Sequence, residues 1–186
     1  MKNLVNKNLA VFRVRSYSCY FLGSSVSWIG NSMQFIAESW LALQLTHQAF
    51  SVAIVLVATS LPGTVLSPLL GVYIDRFDRK WLAAWMDIFR GCVLLAMPIL
   101  WWANLLQPWH IYLVTLLVSI GDTVFTPTIS ALIQEVVPQE HLLSANSFNS
   151  VALQIGSLLG ASLAAIIIVI SSAPMALLVD ALTFSF

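Results

Sequence analysis

The chain has 186 residues, of which 59% are hydrophobic and 9% charged, against roughly 25% charged in a soluble domain. So little polar surface cannot cover a water-facing exterior, and a formal net charge of zero argues against a nucleic-acid partner, although the basic residues are unevenly placed along the chain. Cys19 and Cys92 sit in apolar stretches and are expected as buried reduced thiols. No His/Cys cluster has metal-ligand spacing, and neither a phosphate-cradling glycine loop nor a nucleophile motif occurs, so no enzyme, metal or cofactor is expected.

About 20 apolar residues cross the hydrocarbon core of a bilayer as a helix. In chain order, the hydropathy pattern predicts spans near residues 17–45, 50–74, 81–102, 109–135 and 142–170. A sixth, incomplete span covers residues 174–186. That last stretch is too short to cross, so the reading expects a partner half elsewhere, on the same or a separate polypeptide. The first span follows a basic segment, yet it exceeds a signal peptide's apolar region and contains Gln34 and Glu38. It is read as a retained helix.

All eight Lys and Arg fall in two places. Lys2, Lys7, Arg13 and Arg15 precede or open the first span; Arg76, Arg79, Lys80 and Arg90 lie in or just after the loop between spans two and three. Cytoplasmic loops carry the Lys/Arg excess. The expectation is a multi-pass protein of the plasma (cytoplasmic) membrane with its N-terminus and the 75–80 loop in the cytoplasm.

In the first span, Ser24, Ser27, Asn31, Gln34 and Glu38 follow a 3-4 spacing that puts them on one helical face. In the fourth, Thr115, Ser119, Asp122, Thr126, Ser130 and Gln134 form a second stripe. A charge at mid-membrane costs about 2.5–3.5 kcal/mol on insertion scales, so each is a functional candidate. Asp122 and Glu38 are read as groups that carry a proton or hold a cationic substrate, with Gln34, Asn31 and Thr126 beside them; Asp180 is a weaker candidate. Inter-helix hydrogen bonding in a packed bundle explains the same stripes at about 0.6 kcal/mol per contact. Asp87 and Arg90 are spaced for an intrahelical pair. Pro62, Pro68, Pro98 and Pro127 read as kinks, and Trp101, Trp102 and Trp109 as an interfacial aromatic belt.

The run Gly71-Val72-Tyr73-Ile74-Asp75-Arg76-Phe77-Asp78-Arg79-Lys80 resembles the signature G-x-L-A-D-R-x-G-R-K of the major facilitator superfamily, at the loop where that family has it. Gly71, Asp75, Arg76, Arg79 and Lys80 match, whereas Asp78 stands where the family has glycine. Asp87-Ile88-Phe89-Arg90, the Phe125-Thr126-Pro127 region and Ala145 to Ser150 resemble the macrolide-efflux-like and siderophore-exporter-like branch. Gly156 to Ala165 is similar to the antiporter motif, keeping Gly156 and Gly160, with Ala164 completing a small-residue series for close helix packing.

The resemblance implies an all-α membrane protein: the N-terminal six-helix half of a twelve-helix major facilitator fold with an incomplete sixth helix, built as two inverted three-helix repeats. It implies helices one and four lining a central cavity, and no cofactor. The partners it implies are a small-molecule substrate, a proton, the lipid bilayer and the missing C-terminal half. The implied activity is secondary active efflux of a small amphipathic compound by proton antiport. Alternatives are a siderophore or lysophospholipid exporter, or a half-length membrane protein that associates with a full transporter without transporting. Many proton-coupled members carry an arginine in mid-helix four; here the stretch 115–121 has none. The signature loop is expected to stabilise one conformational state, and Arg79 and Glu135, at the ends of their helices, are an expected gating salt bridge.

Overall fold

The computed structural model describes residues 10–13, 15–74, 78–170 and 173–183. A 3-10 turn, Ala10–Arg13, leads into six helices: α1 (Arg15–Thr46), α2 (Phe50–Ile74), α3 (Arg79–Trp102), α4 (Pro108–Val136), α5 (Gln139–Ile170) and α6 (Ala173–Thr183). Among the described residues there is no strand. Over the described residues, these helix bounds lie within a few residues of the apolar stretches in the sequence.

Local chemistry sets the boundaries. α1 ends where His47 takes φ 55° and donates its N–H to the Leu43 carbonyl at 2.8 Å, closing the last turn. Asp78 caps α3, its carboxylate accepting from the N–H groups of Lys80 and Trp81 at 3.0 and 3.3 Å. The departure from the family's glycine at this position therefore has a local cause, a cap contribution of about 1 kcal/mol. α4 opens with Pro108 behind Gln107, whose N–H donates to His110 Nδ1 at 3.0 Å.

Among the described residues, four helices are both long and apolar enough to cross a membrane: α2, α3, α4 and α5. α1, at 32 residues, spans about 48 Å at 1.5 Å per residue and is long enough. It is not among the four, and its polar residues Ser24, Ser27, Asn31, Gln34 and Glu38 lower its mean hydropathy. Leu22, Trp40, Leu56, Trp85, Leu158 and Val169 are exposed, a surface that only lipid solvates well.

The packing obeys a simple exchange rule. α1 packs on α5 as α4 packs on α2, and α3 packs on α4 as α6 packs on α1. The α1–α4 and α3–α6 contacts map onto themselves when the first three helices are exchanged with the last three. Two inverted three-helix repeats give this pattern. The α1–α2 and α5–α6 contacts have no counterpart of similar extent among the described residues.

Here the near face denotes the end of the bundle where α1, α3 and α5 begin, and the far face the opposite end. The main core lies toward the far face, from Met33, Leu41 and Val55 to Met97, Ile111, Ala173 and Leu177. Trp101 packs against it, while Trp102 and Trp109 are exposed. A smaller cluster sits at the near face, where Phe12 lies 5.1 Å from Phe21 and 5.0 Å from Phe148 between ring centroids.

Candidate functional site

Asn31, Arg90 and Asp122 each stand at the middle of their own helix, and the bundle brings the three together. The Arg90 guanidinium donates from Nη2 to Asp122 Oδ1 at 2.7 Å and to Asn31 Oδ1 at 3.0 Å. From Nη1 it donates to Asp87 Oδ1 at 3.2 Å. Its carbon Cζ lies 5.1 Å from the centroid of the Phe125 ring. One arginine thus ties α1, α3 and α4 at mid-depth. The expected Asp87–Arg90 pair is present, but it is one arm of a larger cluster. Mid-α4 carries no arginine of its own; a cation reaches it from α3.

Gly121 makes this approach possible. A Cβ there would stand 2.6 Å from Arg90 Cγ and 3.0 Å from Cδ, so the stem of the arginine lies directly over the glycine. Sequence reasoning missed Gly121, and it paired Arg90 only with its neighbour in sequence. A usable signal existed: a cation and an acid at the same depth on two spans lower each other's insertion cost by meeting.

Below the cluster, a cavity of about 680 Å³ fills the near half of the bundle. Its walls come from α1 (Tyr20, Ser24, Ser27, Trp28, Asn31), α3, α4 (Asp122, Thr126, Ser130, Gln134) and α5 (Asn146, Asn149). A second, more open groove between α2 and α4 shares Asp122, Thr126, Ser130 and Gln134 and adds Thr59, Gly63 and Ser67. The α4 stripe therefore divides in two. Its near half faces open space, while Thr115 is buried and Ser119, buried as well, edges the second groove. Many hydroxyls along these helices, among them Thr59, Thr123, Thr128 and Ser130, donate to the carbonyl one turn earlier. Such bonding satisfies them without water.

The α1 stripe divides too. Two turns past Asn31, toward the far face, Glu38 is buried. Its Oε1 accepts from Gln34 Nε2 at 2.7 Å, and its Oε2 lies 2.8 Å from the Thr115 hydroxyl. That hydroxyl also lies 2.8 Å from the Ile111 carbonyl oxygen. Asp180 of α6, fully buried, and Asp122 are near enough to act on Glu38 electrostatically. Glu38 and Gln34 are thus not in the cavity that holds Asn31, Asp122 and Thr126.

The small residues of α5 meet α1. A Cβ on Gly156 would stand 3.1 Å from Trp28 Cβ. One on Gly160 would clash with the Ile29 carbonyl oxygen and come within 2.8 Å of Ser32 Cβ. Ala164 is fully buried in the main core. Both cysteines are free and exposed, which corrects the expectation of burial: Cys19 lines the cavity.

Of the signature loop, Gly71 lies in the last turn of α2, Arg79 opens α3 and Lys80 follows it, exposed. Asp75 and Arg76 lie outside the described residues, and so does the side chain of Glu135, the expected partner of Arg79.

A family model described as a transmembrane secretion effector matches residues 6–186. The chain is 23% identical over 133 residues to an uncharacterised MFS-type transporter, YvqJ, of Bacillus subtilis, covering 72% of this chain and 32% of that protein. It is 25% identical over 145 residues to macrolide efflux protein A of Streptococcus pyogenes, covering 78% of this chain and 36% of the relative. With macrolide efflux protein A of Enterococcus faecalis it shares 27% over 107 residues, or 58% and 33% of the two chains. The matched region spans about a third of the length of these relatives, and no solved structure matches. With its helices, mid-depth charges and signature residues, the chain belongs to the transmembrane secretion effector family of major facilitator transporters.

Proposed function

We propose that this chain supplies one half of a secondary exporter that moves a small amphipathic compound out of the cytoplasm in exchange for protons. The observation that carries the reading is the cavity of the near half, lined by polar and apolar side chains together, which ends at mid-bundle on the Arg90–Asp122 pair. A path that stops at mid-depth is what alternating access needs. In this reading Asn31, Asp122 and Thr126 meet the substrate. The near face is cytoplasmic, and the signature loop with Arg79 and Glu135 steadies one state of a rocking motion between two halves.

Glu38 is the proposed proton carrier. A threonine hydroxyl has one hydrogen, yet Thr115 stands at hydrogen-bond distance from two acceptors, Glu38 Oε2 and the Ile111 carbonyl. A protonated Glu38 resolves the count, because it donates to Thr115 while Thr115 donates to Ile111. An ionised Glu38 leaves one of those contacts without a hydrogen. Asp122 is less suited to the task, since its carboxylate is already engaged by Arg90 at 2.7 Å.

Macrolides, the compounds in two relatives' names, are the first substrates to test. Cells expressing the protein should accumulate less of a radiolabelled macrolide, and Glu38→Gln should lower gradient-driven efflux at least about tenfold while sparing substrate exchange at equal concentrations. Wild-type efflux from Glu38→Gln removes Glu38 from the coupling, and no efflux from the wild type across macrolides removes that substrate class.

A further inference from the structure

The cavity has a feature that amphipathicity alone does not supply: its exposed charge is all of one sign. Asp87 and Asp122 keep 32% and 38% of their side chains accessible, whereas Arg90, between them, keeps 1%. The guanidinium is turned toward Asp87, Asp122 and Asn31, so an entering molecule meets carboxylate oxygens and not the cation. Among the described residues that line it there is no Lys, His or further Arg. One arginine neutralises one of two carboxylates, which leaves an excess negative charge in a low-dielectric cleft that focuses its field. Tyr20 and Trp28 line the same space, and their ring faces also attract cations.

We propose that this cavity selects compounds with a single positive charge and an apolar or aromatic body, and that Asp87 is the carboxylate that holds the charge. Asp122 is more tightly engaged by Arg90, at 2.7 Å against 3.2 Å, so Asp87 gives up less on turning to a ligand. The inference deepens the export reading and rests on it for transport; binding itself needs no gradient. An anionic compound of the same shape is repelled.

Tetraphenylphosphonium and tetraphenylborate share shape and differ in the sign of their charge. Equilibrium binding to the purified protein in detergent is expected to be saturable for the phosphonium and absent for the borate. Asp87→Asn should weaken phosphonium binding by about tenfold or more, and Asp87→Glu should restore most of it. The phosphonium should also protect Cys19, on the cavity wall, from a maleimide in a Cys92→Ser background. Equal binding of both ions, no protection of Cys19, or unchanged affinity in a monodisperse Asp87→Asn protein overturns the proposal. If Asp87→Asn does not fold, the ion pair and the Cys19 protection still decide. Phosphonium binding without any efflux would sink the export reading alone.

Discussion

At the scale of single residues, the bundle turns on one buried cation. Removing one partner from a buried ion pair costs about 3–5 kcal/mol because the other charge stays uncompensated, and Arg90 has two acidic partners. Its path across α4 depends on Gly121 having no side chain. In an ordinary helix Gly→Ala gains about 1 kcal/mol of propensity; at Gly121 the new methyl meets an arginine stem anchored at its far end by Asp122 and Asn31. Gly121→Ala is therefore expected to lower the melting temperature in detergent, against its propensity. In an Arg90→Ala background the same change should cost nothing further or stabilise, a coupling of at least about 1 kcal/mol in a double-mutant cycle. Additive effects would show that Gly121 does not serve Arg90. Little of this cluster was legible in sequence. The Asp87–Arg90 spacing is local and can be read from the helix period, whereas Asp122 reaches Arg90 only after α3 packs on α4. The stripes were legible as faces but not in their depth: Asn31 and Glu38 share one face of α1 and belong to two different sites.

At the scale of elements, the helices were the most legible part, since an apolar run of spanning length bounded by polar turns admits few other readings. The motif Gly156, Gly160, Ala164 pointed to close packing without naming the partner, because spacing along α5 carries no information about α1. The three glycines of this interface and its surroundings should respond in a graded way. Gly160→Ala drives a methyl into the Ile29 carbonyl, a backbone atom that moves only if the helices separate. Gly156→Ala meets Trp28 Cβ at 3.1 Å, and Gly23→Ala meets nothing within 4 Å. Overpacking costs about 1–3 kcal/mol, so thermal stability should fall most for Gly160→Ala, less for Gly156→Ala, and stay level or rise for Gly23→Ala. A reversed order would mean that α1 and α5 are not in this contact in the membrane.

At the scale of the whole molecule, the exchange rule and the charge distribution have to agree with one orientation. Three helices start and two end at the near face, the end where α1 begins, and each of the described Lys and Arg lies on the near half or at mid-depth. The far face gathers the apolar core and the loop of residues 103–107, which holds no basic residue. Lys/Arg excess in short loops marks the cytoplasmic side, and the proposed export needs a cavity that opens to the cytoplasm to load, so both predict a near face on the inside. Two single-cysteine variants in a Cys19→Ser/Cys92→Ser background test this. Asn104→Cys, in the exposed far-face loop, should react in intact cells with a maleimide that cannot cross membranes. Lys80→Cys, exposed at the near face, should react only after the cells are opened. The reverse pattern would turn the protein over, and the same cavity would then load from outside, making the cation site one of uptake.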